Sequence, residues 1–195
     1  MSSSLTAAPS DAQSSDARLN TIPSLDGAPP LVTVRHLSKA YRGRPALRDF
    51  SMSLPAGRIV GLMGANGCGK TTLLKILAGV MADYEGEVRI AGHAPGLQSK
   101  ALVSFLPDAD FLATSLTPPR AIAQFSRLFA DFDAAKARRL VDFFGLPADR
   151  SIKEMSKGMG EKLRIALVMS RRARVYLLDE PISGVDPAAR EIVLD

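Results

Sequence analysis

Eight residues in the chain, Gly64-Ala65-Asn66-Gly67-Cys68-Gly69-Lys70-Thr71, satisfy the pattern G-x-x-x-x-G-K-[ST] without a mismatch. The glycines let backbone N–H groups turn inward around phosphate oxygens, where a Cβ would obstruct the approach. Lys70 would set a cation on the β- and γ-phosphates of a nucleoside triphosphate, and the Thr71 hydroxyl would ligate Mg²⁺. A helix opening at this point, through Thr72, would aim its positive end at the same anions. From average composition, a chance match in a chain of this size is on the order of 1%. The loop is therefore read as a site for Mg-ATP. Cys68 occupies a position that the pattern leaves free; it is either a small filler or a thiol activated by the helix N-terminus. A second group, Val175-Tyr176-Leu177-Leu178-Asp179-Glu180, is an apolar run ending in two carboxylates. A strand there would deliver Asp179 to the metal, and Glu180 could act as general base on the attacking water.

Those residues need strands that end, and helices that begin, at the right places. Ile59 to Met63 is apolar on both faces, as expected for a strand buried inside a parallel sheet just before the loop. A helix over Thr72 to Val80 follows. Leu31 to Arg35 and Phe50 to Leu54 alternate apolar and polar residues, and Glu87 to Ala91 and Leu102 to Leu106 are further strand candidates. Thr117-Pro118-Pro119 reads as an N-cap with prolines tolerated in a first turn. Ile122, Phe125 and Phe129 continue that helix, and their aromatic stripe is read as core more readily than as a ligand box. A second helix starts near Asp133 and stops at Gly145 and Pro147. A third, Glu161 to Arg174, would end in the basic cluster Arg171-Arg172-Ala173-Arg174, which suits the negative end of a helix dipole. The strand Val175 to Leu178 is expected to be buried.

With 46% apolar residues the chain can build a real core, and runs such as Ile165 to Met169 are far too short to cross a bilayer. The chain is expected to be soluble by itself. A single cysteine excludes an internal disulfide framework. Residues 1–30 are rich in Ser, Ala, Asp and Pro and are expected to form a disordered tail without the features of a secretory signal. That segment carries Arg18 against Asp11, Asp16 and Asp26, so the net charge of +5 arises from the remainder. The basic residues are dispersed, and a solvated surface is preferred to a nucleic-acid site.

At Met155-Ser156-Lys157-Gly158-Met159 the sequence resembles the ATP-binding cassette (ABC) ATPases, whose signature is Leu-Ser-Gly-Gly-Gln followed by a basic helix, an acidic strand end and a short loop. Here these are Glu161 to Arg174, Asp179-Glu180-Pro181 and Ser183-Gly184-Val185-Asp186. The resemblance runs from Leu31 to the C-terminus. It implies an α/β P-loop NTPase with a mainly parallel core sheet, an antiparallel β edge and a helical subdomain over about residues 115–172, within one domain of residues 31–195. It also implies a head-to-tail dimer of cassettes, in which Ser156 and Gly158 of one protomer meet the γ-phosphate held by Gly64 to Thr71 of the other. Tyr41 matches the aromatic residue that stacks on adenine, with a buried structural tyrosine as the alternative. Asp108 stands where the family has glutamine and could ligate Mg²⁺, but it cannot donate a hydrogen bond to the lytic water unless protonated.

The implied function is the ATP-hydrolysing subunit of a transporter, with ATP and Mg²⁺ as cofactors. Its partners would be a second ATPase subunit and integral membrane permease subunits, with no nucleic acid. It would sit in the cytoplasm against the inner face of the cell membrane. Ser156-Lys157-Gly158-Met159 is similar to the signatures of bacterial exporter cassettes of the multidrug and antibiotic type. The competing reading is a soluble cassette ATPase acting on ribosomes or nucleic acid; the stretch from Lys70 to Ser156 shows no heptads of the kind that DNA-repair members insert. Family members carry a switch histidine beyond the catalytic glutamate, whereas His36 and His93 both lie upstream of Glu180. The sequence is accordingly expected to be C-terminally truncated, and to bind ATP weakly and hydrolyse it poorly by itself.

Overall fold

The computed structural model describes residues 29–180. Most of the expected tail and the loop Ser183 to Asp186 lie outside them. Strands β1 (Val32–Tyr41) and β2 (Arg44–Leu54) form an antiparallel hairpin, and β3 (Glu85–Ile90) pairs with the other side of β1, giving the order β2-β1-β3. Arg42 and Gly43 connect β1 to β2 with φ of 47° and 77°. Positive φ at both central residues is what a tight hairpin turn needs to match strand twist. Both strands run longer than the alternating stretches in the sequence. Register shifts after Val34, Leu37 and Lys39 break the alternation, so the period-2 pattern ends before the pairing does.

Helix α1 (Lys70–Leu77) lays Leu73, Ile76 and Leu77 on a core that contains Val32, Val34, Leu37, Val88 and Ile90. A short helix, α2 (Leu97–Leu102), leads directly into β4 (Val103–Leu106). Strand β4 pairs in parallel with β5 (Val175–Leu178), in register from Val103↔Val175 to Leu106↔Leu178. Between them lie α3 (Pro118–Leu128), α4 (Ala134–Phe143) and α5 (Lys157–Met169).

Helix α5 is buried on two faces. Leu163, Ala166 and Leu167 pack with Ala121, Ile122, Phe125, Ala137 and Val141 of α3 and α4. Ile165 and Val168 pack against Leu106 of β4. The Ser104 hydroxyl donates to the Val168 carbonyl at 2.8 Å, fixing α5 along β4. The aromatic stripe is core, as its spacing indicates: Phe125 contacts Phe129 and Phe132 at centroid distances of 5.3 and 5.6 Å.

Four sequence expectations are corrected. The run Ile59 to Met63 belongs to no strand, and it is open to solvent, with Ile59 74% and Met63 93% exposed. Among the described residues no strand pairs with it, so its apolar side chains gain nothing from a pleat. Helix α5 begins at Lys157, four residues before Glu161, because Ser156 caps it by accepting the Met159 N–H at 3.2 Å. It ends at Met169, so the basic cluster lies past its last turn. Arg171 is no solvated dipole partner either. Its guanidinium pairs with both oxygens of Asp131 at 3.1 Å, donates to the Val103 carbonyl at 2.7 Å and lies 4.2 Å from the Phe129 ring centre. Arg171 thereby ties the α3–α4 connection to the start of β4. Strand β5 is not buried throughout: Leu177 is buried, Val175 and Leu178 are partly buried against the core on either face, and Tyr176 is exposed.

Candidate nucleotide site

The phosphate-type loop opens α1. Its Asn66-Gly67 turn is closed by the Cys68 N–H donating to the Ala65 carbonyl at 3.2 Å. Gly69 adopts φ 99° at the helix start, and a Cβ there would collide with the Ala46 carbonyl and the Leu47 side chain of β2. Only glycine fits both the left-handed backbone and that approach. Lys70 Nζ curls back to donate to the carbonyls of Gly64 at 2.8 Å and Ala65 at 3.0 Å. The loop from Gly64 to Gly69 thus wraps a cation, with the N-terminal end of α1 behind it.

Thr71 Oγ1 donates to Asp179 Oδ1 at 3.0 Å, joining residues 108 positions apart. Strand β5 makes this contact possible: the Asp179 N–H continues the ladder to the Leu106 carbonyl at 2.9 Å, which sets the carboxylate at the sheet rim. Asp179 is only 3% exposed, and its Oδ2 is buried with no hydrogen-bond partner among the described residues. A carboxylate oxygen so placed calls for a donor or a cation. Glu180 turns the chain with φ 48°, a region uncommon for a non-glycine residue.

A cleft of about 410 Å³ lies beside this rim, lined by Asp108, Asp110, Ser156, Lys157, Asp179 and Glu180 among others. Asp108, the residue in the glutamine position, therefore shares a wall with both carboxylates of the β5 end. Among the described residues no three His, Cys, Asp or Glu side chains converge to hold a metal unaided. Gly158 sits in the first turn of α5 and does not line the cleft, and neither do Gly64 to Thr72. The chain thus presents two groups of residues, one around Lys70 and Thr71 and one along the cleft with Ser156 and Glu180. Asp179 touches the first and lines the second.

Tyr41, at the end of β1, places its hydroxyl 3.4 Å from Thr72 Oγ1 of α1 and 3.4 Å from the Met81 sulfur. The residue remains 44% exposed, so it is no buried structural tyrosine. Two features escaped the sequence reading. Arg164 of α5 pairs with Asp110 at 2.5 Å across the cleft rim, and Lys39 pairs with Asp83 beside Tyr41. Neither pair is close in sequence, and no local pattern signals either.

A phosphate-type loop, an acidic strand end bonded to it and a capped signature helix on an α/β frame define an ATP-binding cassette. The chain belongs to the ABC transporter family, whose sequence pattern matches residues 47–183. It is 29% identical over 166 residues to the ABC transporter ATP-binding protein YtrB of Bacillus subtilis, covering 84% of this chain and 57% of that protein. It is 32% identical over 175 residues to the zinc transport system ATP-binding protein TroB of Treponema pallidum, covering 84% of this chain and 65% of TroB. The chain therefore spans about three-fifths of the length of these two relatives. Among solved structures it is similar to a putative ABC transporter ATP-binding protein from Pyrococcus furiosus, with a TM-score of 0.70 and 25% identity over 84% of this chain and 82% of that one. No helix among the described residues is long and apolar enough to cross a membrane.

Proposed function

We propose that this chain binds and hydrolyses Mg-ATP to drive transport through separate membrane-spanning permease subunits. The observation that carries the reading is the Thr71–Asp179 hydrogen bond beside the buried Oδ2 of Asp179, which has no hydrogen-bond partner among the described residues. A hydroxyl and a buried carboxylate are hard oxygen donors, and Mg²⁺ is held by one or two carboxylates together with phosphate oxygens, which suits a site without a complete protein cage. Thr71 and Asp179 would hold the ion, with Asp108 reaching it from the cleft wall. When bound, Mg²⁺ neutralises charge on the β- and γ-phosphate oxygens.

The remaining steps belong to the chain's own side chains. Lys70 exchanges the carbonyls of Gly64 and Ala65 for phosphate oxygens. The backbone from Gly64 through Ala65, Asn66, Gly67, Cys68 and Gly69, with Thr71 and Thr72 at the helix start, surrounds the phosphates. Tyr41 stacks on adenine. Glu180 takes the proton of the attacking water. Ser156 and Gly158 belong to the opposite half-site, so two copies, or one copy and a related subunit, would close head to tail over each nucleotide. The chain would work at the inner face of the cell membrane. Export is the direction that the Ser156-Lys157-Gly158-Met159 variant favours. Both curated relatives described above are named as transporter ATP-binding proteins, which supports this reading over action on ribosomes or nucleic acid.

Glu180→Gln tests the chemistry. Phosphate release in a single turnover should fall by about 10² or more, while ATP binding measured by calorimetry stays intact. Unchanged phosphate release would remove Glu180 from the general-base role.

A further inference from the structure

Lys39 and Tyr41 lie two residues apart at the end of β1, on either side of the register shift after Lys39. The Lys39 ammonium stands 5.2 Å from the centre of the Tyr41 ring and 2.7 Å from Asp83 Oδ2. A lysine on a surface strand ordinarily extends into water, yet this side chain is only 8% exposed, while its partner Asp83 is 96% exposed. The ammonium is therefore held between a carboxylate and an aromatic face. At the other end of the ring, the hydroxyl is fixed by Thr72 and Met81. Tyr41 is thus anchored by β1, by the first turn of α1 and by the segment after α1, and it keeps 44% of its surface open. A cation beside a ring draws on its π-density, and an electron-depleted ring is a better stacking partner for an electron-rich purine.

We propose that Lys39, held by Asp83, is a positioning residue for the nucleobase: it fixes and polarises the Tyr41 ring on which adenine stacks. This rests on the reading of Tyr41 as the base platform, and the test separates the two. ATP and inorganic tripolyphosphate are titrated into the 195-residue chain by calorimetry, with Mg²⁺ present. Lys39→Met keeps most of the aliphatic stem and removes the charge. It should weaken ATP binding by about three- to tenfold and leave tripolyphosphate binding unchanged. Asp83→Asn should shift ATP affinity in the same direction, Lys39→Arg should restore it, and Lys39→Met should add nothing once Tyr41 is alanine. Equal losses for ATP and tripolyphosphate in Lys39→Met would show a general structural role and overturn the proposal. If Tyr41→Ala weakens ATP while Lys39→Met leaves it unchanged or tighter, the proposal fails and the platform stands. An unaltered ATP affinity in Tyr41→Ala overturns the platform and the proposal with it. Should Lys39→Met not fold, Asp83→Asn alone decides: an unchanged ratio of ATP to tripolyphosphate affinity overturns the proposal.

Discussion

The phosphate-type loop was legible at the level of single residues because its demands are local. Glycine at positions 64 and 69, a lysine and a threonine are set by what eight consecutive residues must do. Cys68 shows how one residue can serve both readings of it. A Cβ on Gly64 would sit 2.5 Å from the Cys68 sulfur, so the thiol fills the space beside that glycine, yet Cys68 is exposed. Its sulfur also lies 3.9 Å from Lys70 Nζ. Alkylation with N-ethylmaleimide should therefore block nucleotide binding, and ATP present beforehand should protect the thiol. Complete labelling with undiminished binding would show that the loop accommodates the adduct.

Elements were legible where a side-chain signal and a pairing partner coincide. Pro118 and Pro119 opening α3, and Asp133 capping α4, fall where the sequence puts them. Asp133 accepts the Lys136 N–H at 2.8 Å, and that bond, more than the guanidinium of Arg172, lowers its carboxyl below the usual Asp range. A depressed carboxylate contributes stability above its unfolded value, about 3.9, and loses it as pH falls through the folded one. Residues 134–143 should accordingly exchange amide hydrogens faster, after correction for intrinsic rates, as pH drops below about 4. Asp133→Asn, which retains an acceptor without a charge, should flatten that dependence. The run Ile59 to Met63 was misread because an apolar pattern reports what a segment could bury, and pairing decides whether it does. Met63→Ser should cost under about 0.5 kcal/mol in urea melts, against the 2–5 kcal/mol or so of a buried large-to-small change. A loss in the larger range would place Met63 in a packed strand after all. The start of α5 was missed for the opposite reason: the Ser156 cap was read as signature chemistry, and its role in beginning a helix went unused.

Across the whole molecule, the site depends on contacts that no local pattern carries. Thr71 and Asp179 meet only because β4 and β5 run parallel with three helices between them, and Lys39 meets Asp83 only because β1 lies beside the segment that follows α1. The two motifs brought Thr71 and Asp179 to a shared Mg²⁺ by their chemistry, whereas the Arg171–Asp131 and Arg164–Asp110 ties had no signal in the sequence. The same placement keeps the loop at α1 distinct from the cleft beside Ser156: Asp179 bonds Thr71 of the first and lines the second, which the loop does not line. The central claim is that Lys70, Thr71 and Asp179 form one Mg-nucleotide site. Calorimetric titration of ATP into the chain, with and without Mg²⁺, tests it most directly. Mg²⁺ should tighten ATP binding in the native chain, Asp179→Asn should abolish that gain while keeping metal-free binding, and Lys70→Ala should lose binding in both conditions. Native ATP affinity and an intact Mg²⁺ effect in both variants would contradict the account.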